Sequence, residues 1–179
     1  NIARLLSISL ALWIVGQAHA TDLQITDTHI HYSHDAWDVY PPAEAVGLLR
    51  SANVKKAFVS SSSDDGTQLL YKEAPDLIVP VLRPYRKRGE IGIWTDDETV
   101  IDLLRDKLAK NTYAGIGEFH SFGDDIRKPV MQAVISFASE DDIFLHAHSD
   151  AEAVDLIFES DPDAIVLWAH SGFASPRAV

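Results

Sequence analysis

The stretch LQITDTHIH, residues 23–31, decides how this chain is read. It reads as a first strand, and it ends in His29-Ile30-His31. In an extended strand, residues i and i+2 point to the same face. The spacing therefore aims two imidazoles into one space. A metal ion asks this of its first ligands; a hydrogen-bonded structural pair is the alternative. Asp27 lies on the same face, either as an acceptor for an imidazole N–H or as a simple strand-end acid.

Working outward, strand and helix alternate with little interruption. A loop from Tyr32 to Tyr40 carries His34 and Trp37. Pro41-Pro42 opens a helix to about Asn53, since proline suits a first helical turn. Strands are expected at Lys55–Ser61, Leu77–Leu82, Tyr113–Glu118, Ile143–His148 and Ala164–Ala169. Helices are expected at Asp64–Ala74, from the capping box Thr95-x-x-Glu98, from about Lys128 to Glu140, and from the capping box Ser149-x-x-Glu152. A further helix is starting where the sequence stops. Six strands, each followed by a helix or its beginning, argue for a parallel sheet with helical crossovers. The strands look apolar on both faces, as buried parallel strands should.

Composition narrows the function. The chain has 179 residues, 46% hydrophobic and 23% charged, with a formal net charge of -12. That composition is globular, and the acidic balance argues against a nucleic-acid partner. With no cysteine, any metal must be held by His, Asp, Glu or water. Residues 1–20 read as a signal peptide: Arg4, the apolar run Leu5 to Val15, then Ala18-His19-Ala20 as a small-x-small cleavage site. The apolar run is short for a membrane span of about 20 residues, so no stable membrane insertion is expected after cleavage. Residues 21–179 then form one domain of a periplasmic or secreted protein.

Seven histidines follow the signal-like segment, and all fall at or just beyond predicted strand ends: His29, His31, His34, His120, His146, His148 and His170. In a (β/α) barrel these ends carry the active site. Recurrence of His29 and His31 with Glu118, His146 and His170 at later strand ends is hard to explain by core packing. His148 shares a face with His146, and His120 stands likewise to Glu118. Arg83 follows the third strand in a basic run with Arg86, Lys87 and Arg88. It is the candidate for holding a substrate carboxylate or phosphate, with a solvated loop as the alternative. Trp37 and Trp94 are candidates for a pocket mouth, and Trp168 for the core. Gly115-x-Gly117 lacks the third glycine of a dinucleotide fingerprint, and no nucleophile elbow exists.

The ordered set DTHIH, GIGEFH, FLHAHSD and VLWAHSGF resembles the amidohydrolase superfamily of metal-dependent hydrolases, closest to the branch with TatD-like enzymes and the amidohydrolase-2 group. The likeness covers most of the chain after the targeting segment. It implies a (β/α)8 barrel of TIM type with one or two divalent metals, zinc in the first instance, with manganese or iron also suited. His29 and His31 match the first-strand ligand pair. Glu118 matches the fourth-strand carboxylate that bridges two metals in TatD-like members. His146 matches the fifth-strand ligand. His170 matches the sixth-strand histidine, a ligand in two-metal members and a catalytic group in some one-metal members. His148 then becomes a catalytic or substrate-facing group; His120 is a candidate substrate contact, with a loop histidine in solvent as the alternative, beside Arg83 as read above. The family's eighth-strand aspartate has no counterpart in the sequence. A barrel of this kind takes about 250 residues, so the expectation is an incomplete barrel of about six βα units, lacking strands seven and eight and inactive by itself.

The resemblance implies metal-assisted hydrolysis of a small-molecule amide, ester or phosphoester, and Arg83 adds the expectation of an anionic substrate. Two alternatives stay open. One is a metal-dependent non-oxidative decarboxylase of the same superfamily. The other is a non-catalytic periplasmic protein that binds a metal or ligand.

Overall fold

The computed structural model describes residues 23–87 and 89–173. The expected signal peptide and Arg88 lie outside the described residues. Six strands run in chain order: β1 Ile25–Ile30, β2 Val54–Val59, β3 Ile78–Leu82, β4 Gly115–His120, β5 Phe144–His148 and β6 Val166–Trp168. Each pairs in parallel with the next, giving one sheet ordered β1-β2-β3-β4-β5-β6. The crossovers are helical: α1 His34–Trp37 and α2 Pro42–Ser51 after β1, α3 Asp64–Glu73, α4 Thr99–Lys110, α5 Pro129–Glu140 and α6 Ala151–Ser160. Among the described residues no helix is long and apolar enough to cross a membrane.

The sheet is curled into a half-barrel. In a flat six-stranded sheet the first and last strands would stand about 24 Å apart. Here the ring of His29, on β1, and that of His170, two residues beyond β6, have centroids 4.8 Å apart. Strand twist, accumulated over six strands, brings the C-terminal ends together.

The pleat divides the side chains. On β5, Leu145 and Ala147 bury beneath the helices with Ile116 and Phe119 of β4, packed on Val100, Leu104, Val130, Val134 and Ile157. A second cluster packs Ala57 and Val59 of β2 against Leu70 of α3 and Val46 of α2. Each fully buried aliphatic side chain contributes roughly 1.5–3 kcal/mol relative to exposure. The alternate residues face inward. There the expectation of two apolar faces holds only low in the sheet, where Phe58 meets Phe144 with centroids 5.8 Å apart. Nearer the C-terminal ends the inner positions are Glu118, His120, His146 and His148.

Three local expectations need correction. The helix after β3 begins at Thr99 rather than at Thr95. Trp94 and Thr95 are buried in a 3₁₀ turn, Trp94–Asp96, so this segment is drawn into the core before the helix can start. The Asp97 carboxylate meets the helix instead, accepting the Thr99 N–H at 3.0 Å. The cap of α6 is Asp150, one residue beyond Ser149: its Oδ1 accepts from Ala153 N at 2.9 Å and from Gly123 N at 3.1 Å. Ser149 is buried at the end of β5 and cannot serve. Finally, Trp94 lines no pocket mouth. It is 1% exposed and packs on Tyr85 and Phe119. Trp37 donates to the Tyr32 carbonyl at 3.1 Å, while Trp168 is half-buried and donates to the Ser149 carbonyl at 2.8 Å. After β6 the chain enters a 3₁₀ turn, Ala169–Phe173; the helix expected at the end of the sequence falls outside the described residues.

Candidate metal centre

Glu118 is the hub of the curled sheet's upper end. It is 2% exposed. The β4–β5 register slips between Gly117 and Phe119, leaving Glu118 at an irregularity; a bulge re-aims the side chain it carries. Gly117 is what the local geometry requires. Its φ is +138°, and a Cβ there would stand 2.2 Å from the His146 carbonyl oxygen. Only glycine lets the two backbones approach so closely.

The two carboxylate oxygens of Glu118 face different histidines. Oε2 lies 3.0 Å from His31 Nε2 and 3.4 Å from His29 Nε2, and those two nitrogens are 3.0 Å apart. Oε1 lies 2.9 Å from His148 Nδ1 and 3.5 Å from His170 Nε2. Residues from β1, β4, β5 and the turn after β6 thus meet around one acid. Arg83, at the end of β3, donates from Nε to the Glu118 carbonyl and from Nη2 to Oε2, both at 3.0 Å.

The tautomer of His31 follows from its other nitrogen. His31 Nδ1 lies 2.5 Å from the Ser60 carbonyl oxygen. A carbonyl only accepts, so Nδ1 carries the hydrogen and Nε2 of the neutral ring presents a lone pair. That lone pair faces a carboxylate oxygen and another imidazole nitrogen. A hydrogen on His29 Nε2, or a cation shared among the three atoms, satisfies this spacing. At zinc–ligand lengths of about 2.1 Å, two donors stand about 3.0 Å apart at a right angle and about 3.4 Å apart at the tetrahedral angle. The observed separations match a shared divalent cation. The Ser60 carbonyl behind His31, one residue beyond β1, is the kind of orienting partner that a metal-ligating histidine would have.

Electrostatics agree. Burial alone would raise the Glu118 carboxyl, but hydrogen bonding to His31 and His148 and the charges of His29 and Arg83 outweigh it, holding it well below the ordinary carboxylate range. Burial pushes His29 down, opposed by Glu118. Burial, then the charge of His29, pushes His146 down to about 4. A neutral His146 beside an ionised Glu118 is the pairing of protonation states that a metal requires.

The structure brings the sequence-predicted residues together, with some roles rearranged. His29, Glu118 and His170 offer ligand atoms within 4.8 Å of one another, as do Glu118, His120 and His148. His170 reaches Glu118 because it, Ser171 and Gly172 all adopt left-handed φ. His148, expected as a catalytic or substrate-facing group, contacts the carboxylate directly and is equally placed to ligate. His146 is 2% exposed, its ring 4.8 Å from that of His29, and its Nδ1 has no hydrogen-bond partner among the described residues. An orphaned buried nitrogen in such a cluster calls for a ligand. Arg83 is 7% exposed, and its first commitment is to Glu118 rather than to solvent. Asp27 accepts from the His29 backbone N–H at 3.0 Å and orients no imidazole. His34 stands apart on α1 against Trp37.

Sequence reasoning missed Tyr85 and Ser60. The Ser60 contribution is a carbonyl, which every residue has, so no side-chain signal could reveal it. Tyr85, two residues after Arg83, could have been sought as an aromatic at a strand end. No protein-family model, curated protein or solved structure matches this chain.

Proposed function

We propose that this chain carries the metal-binding face of a metal-dependent hydrolase of the amidohydrolase type, on the first six units of a (β/α)8 barrel. The supporting observation is the split of Glu118: one oxygen faces His29 and His31, the other His148 and His170. A carboxylate flanked in this way suits a bridging ligand between two cations, as the sequence resemblance implies.

His29, His31 and Glu118 would hold one ion, and Glu118, His148 and His170 a second, with His146 completing the cluster. A divalent cation bound here supplies Lewis-acid polarisation of a water or substrate oxygen and favours attack on a carbonyl or phosphoryl centre. The chain's residues do the rest. Ser60 fixes His31 with its Nε2 lone pair inward. Arg83 keeps Glu118 ionised. His170, at the open end and 39% exposed at its side chain, would hold the second ion through Nε2; in a one-ion centre the same nitrogen would hold or pass a proton instead. The substrate class favoured is a small anionic ester, amide or phosphoester.

The decarboxylase alternative leaned on Arg83 as an anchor for a substrate carboxylate. Two nitrogens of that guanidinium are committed to Glu118, which weakens its support. The test is metal analysis and hydrolysis assays on the full-length protein. One or two zinc, manganese or iron ions per chain and chelator-sensitive hydrolysis are expected. Metal-free protein that hydrolyses its substrate at full rate in chelator would overturn the proposal.

A further inference from the structure

The Tyr85 hydroxyl is buried against β4, and among the described residues both of its hydrogen-bond contacts are to His120. It accepts the His120 backbone N–H at 2.6 Å and lies 3.0 Å from His120 Nδ1. A phenol is protonated at neutral pH, with one hydrogen to donate and two lone pairs. One lone pair receives the backbone N–H. For the hydrogen, Nδ1 is the one acceptor among the described residues. Nδ1 therefore accepts, and the neutral ring carries its own hydrogen on Nε2.

The rest of His120 is equally constrained. Its carbonyl accepts from Trp94 Nε1 at 2.8 Å. Its ring stacks on His148, centroids 4.1 Å apart and planes 27° from parallel. Two buried aromatics thus take its backbone donor, its backbone acceptor and Nδ1. His120 is half-buried, no hydrogen bond to its Nε2–H is present among the described residues, and a ring nitrogen of His120 lies within 4.8 Å of ligand atoms of Glu118 and His148. Around it, one carboxylate faces four histidines and an arginine. With the histidine lone pairs given to the cations proposed above and Arg83 given to Glu118, an incoming oxyanion would meet positive charge beside this N–H donor.

We propose that Tyr85 is a positioning residue that locks His120 as an Nε2–H donor, and that this donor grips an oxygen of an anionic ligand at the Glu118 centre. This deepens the hydrolase reading and rests on it for what else the ligand meets. The tautomer itself does not depend on a metal. A bound phosphoryl or carboxyl oxygen would be fixed by a neutral donor, which tolerates charge developing on the oxygen without giving up its proton.

The test uses full-length, zinc-loaded protein with ¹⁵N-labelled histidine. Long-range ¹H–¹⁵N spectra separate protonated from unprotonated ring nitrogens. In the wild type, His120 is expected with Nε2 protonated and Nδ1 not, and inorganic phosphate should shift the Nε2 resonance. In Y85F, which keeps the ring and its packing, both tautomers should appear. H120A should weaken phosphate binding about tenfold, the size of one hydrogen bond to a charged group. H120Q, whose amide nitrogen sits near the place of Nε2, should recover most of it. An unprotonated Nε2 in the wild type, an unchanged tautomer in Y85F, or equal phosphate affinity in H120A would each overturn the proposal. Zinc content of the same samples reports separately: a wild type that binds no zinc defeats the metal reading, while the tautomer spectra still decide this one.

Discussion

Arg83 and Glu118 are joined twice across the β3–β4 seam, backbone and side chain, with both bonds at 3.0 Å. The pair is buried, so neither charge has solvent to fall back on. Removing one partner of such a pair costs about 3–5 kcal/mol. In metal-free protein, Arg83→Met should lower stability to urea by that amount. With zinc present the loss should shrink, because the cation supplies the missing positive charge. An equal loss with and without zinc would mean that no cation neighbours Glu118.

Glu118→Gln keeps the shape of the side chain and removes its charge. Outer-shell changes already cost 10–100-fold in metal affinity. Loss of a ligand that faces four histidines should cost about 100-fold or more. Competition with a chromophoric chelator measures this directly, and wild-type affinity in the variant would remove Glu118 from the centre.

Metal removal should destabilise the fold as well as the activity. A ligand present at 100 times its Kd stabilises the native state by about 2.7 kcal/mol. For a chain of this size that corresponds to roughly 5–10 °C in Tm. Thermal denaturation in chelator, with zinc added back, checks the shift. A Tm indifferent to both chelator and zinc would count against a cation site.

The metal-free protein should lose stability on mild acidification. Burial holds both His120 and His146 near pKa 4, below the ordinary 6.5. Between pH 6.5 and 4 the unfolded chain therefore binds protons that the folded chain refuses. Stability is present above pH 6.5 and drains away as the pH falls through that window. The same protons compete with metal for the imidazoles. Urea midpoints of chelated protein at pH 7.5, 6 and 5 should fall in order; a flat series would contradict the buried, neutral histidines.

Glycine substitutions should separate two environments. Gly117→Ala meets the His146 carbonyl and a positive φ, and should cost about 3 kcal/mol or more. Gly47→Ala, on α2 with open space around it, should raise stability by about 0.5–1 kcal/mol. Equal effects in denaturation would mean that β4 and β5 are not so closely apposed.

Element type and order were legible in the sequence because apolar runs and proline breaks are local signals. All six expected strands are present, with boundaries displaced by a residue or two. The helix starts were less legible. Thr95-x-x-Glu98 has the form of a capping box, yet burial of Trp94 overrides it. Ser149 likewise yields to Asp150 because the strand buries the serine.

By itself, the sequence determined the alternation that builds a parallel sheet and the one-face spacing of His29 and His31, since both depend only on backbone period. Only the tertiary structure decided which atoms meet. Sheet curl brings β1 against the turn after β6, and the irregularity beside Gly117 turns Glu118 so that its two oxygens serve different histidines. The tautomers of His31 and His120 hang on a carbonyl 29 residues away in one case and a phenol 35 residues away in the other. Such contacts are set by twist, close backbone approach and burial across the whole sheet, and no local pattern of residues encodes them.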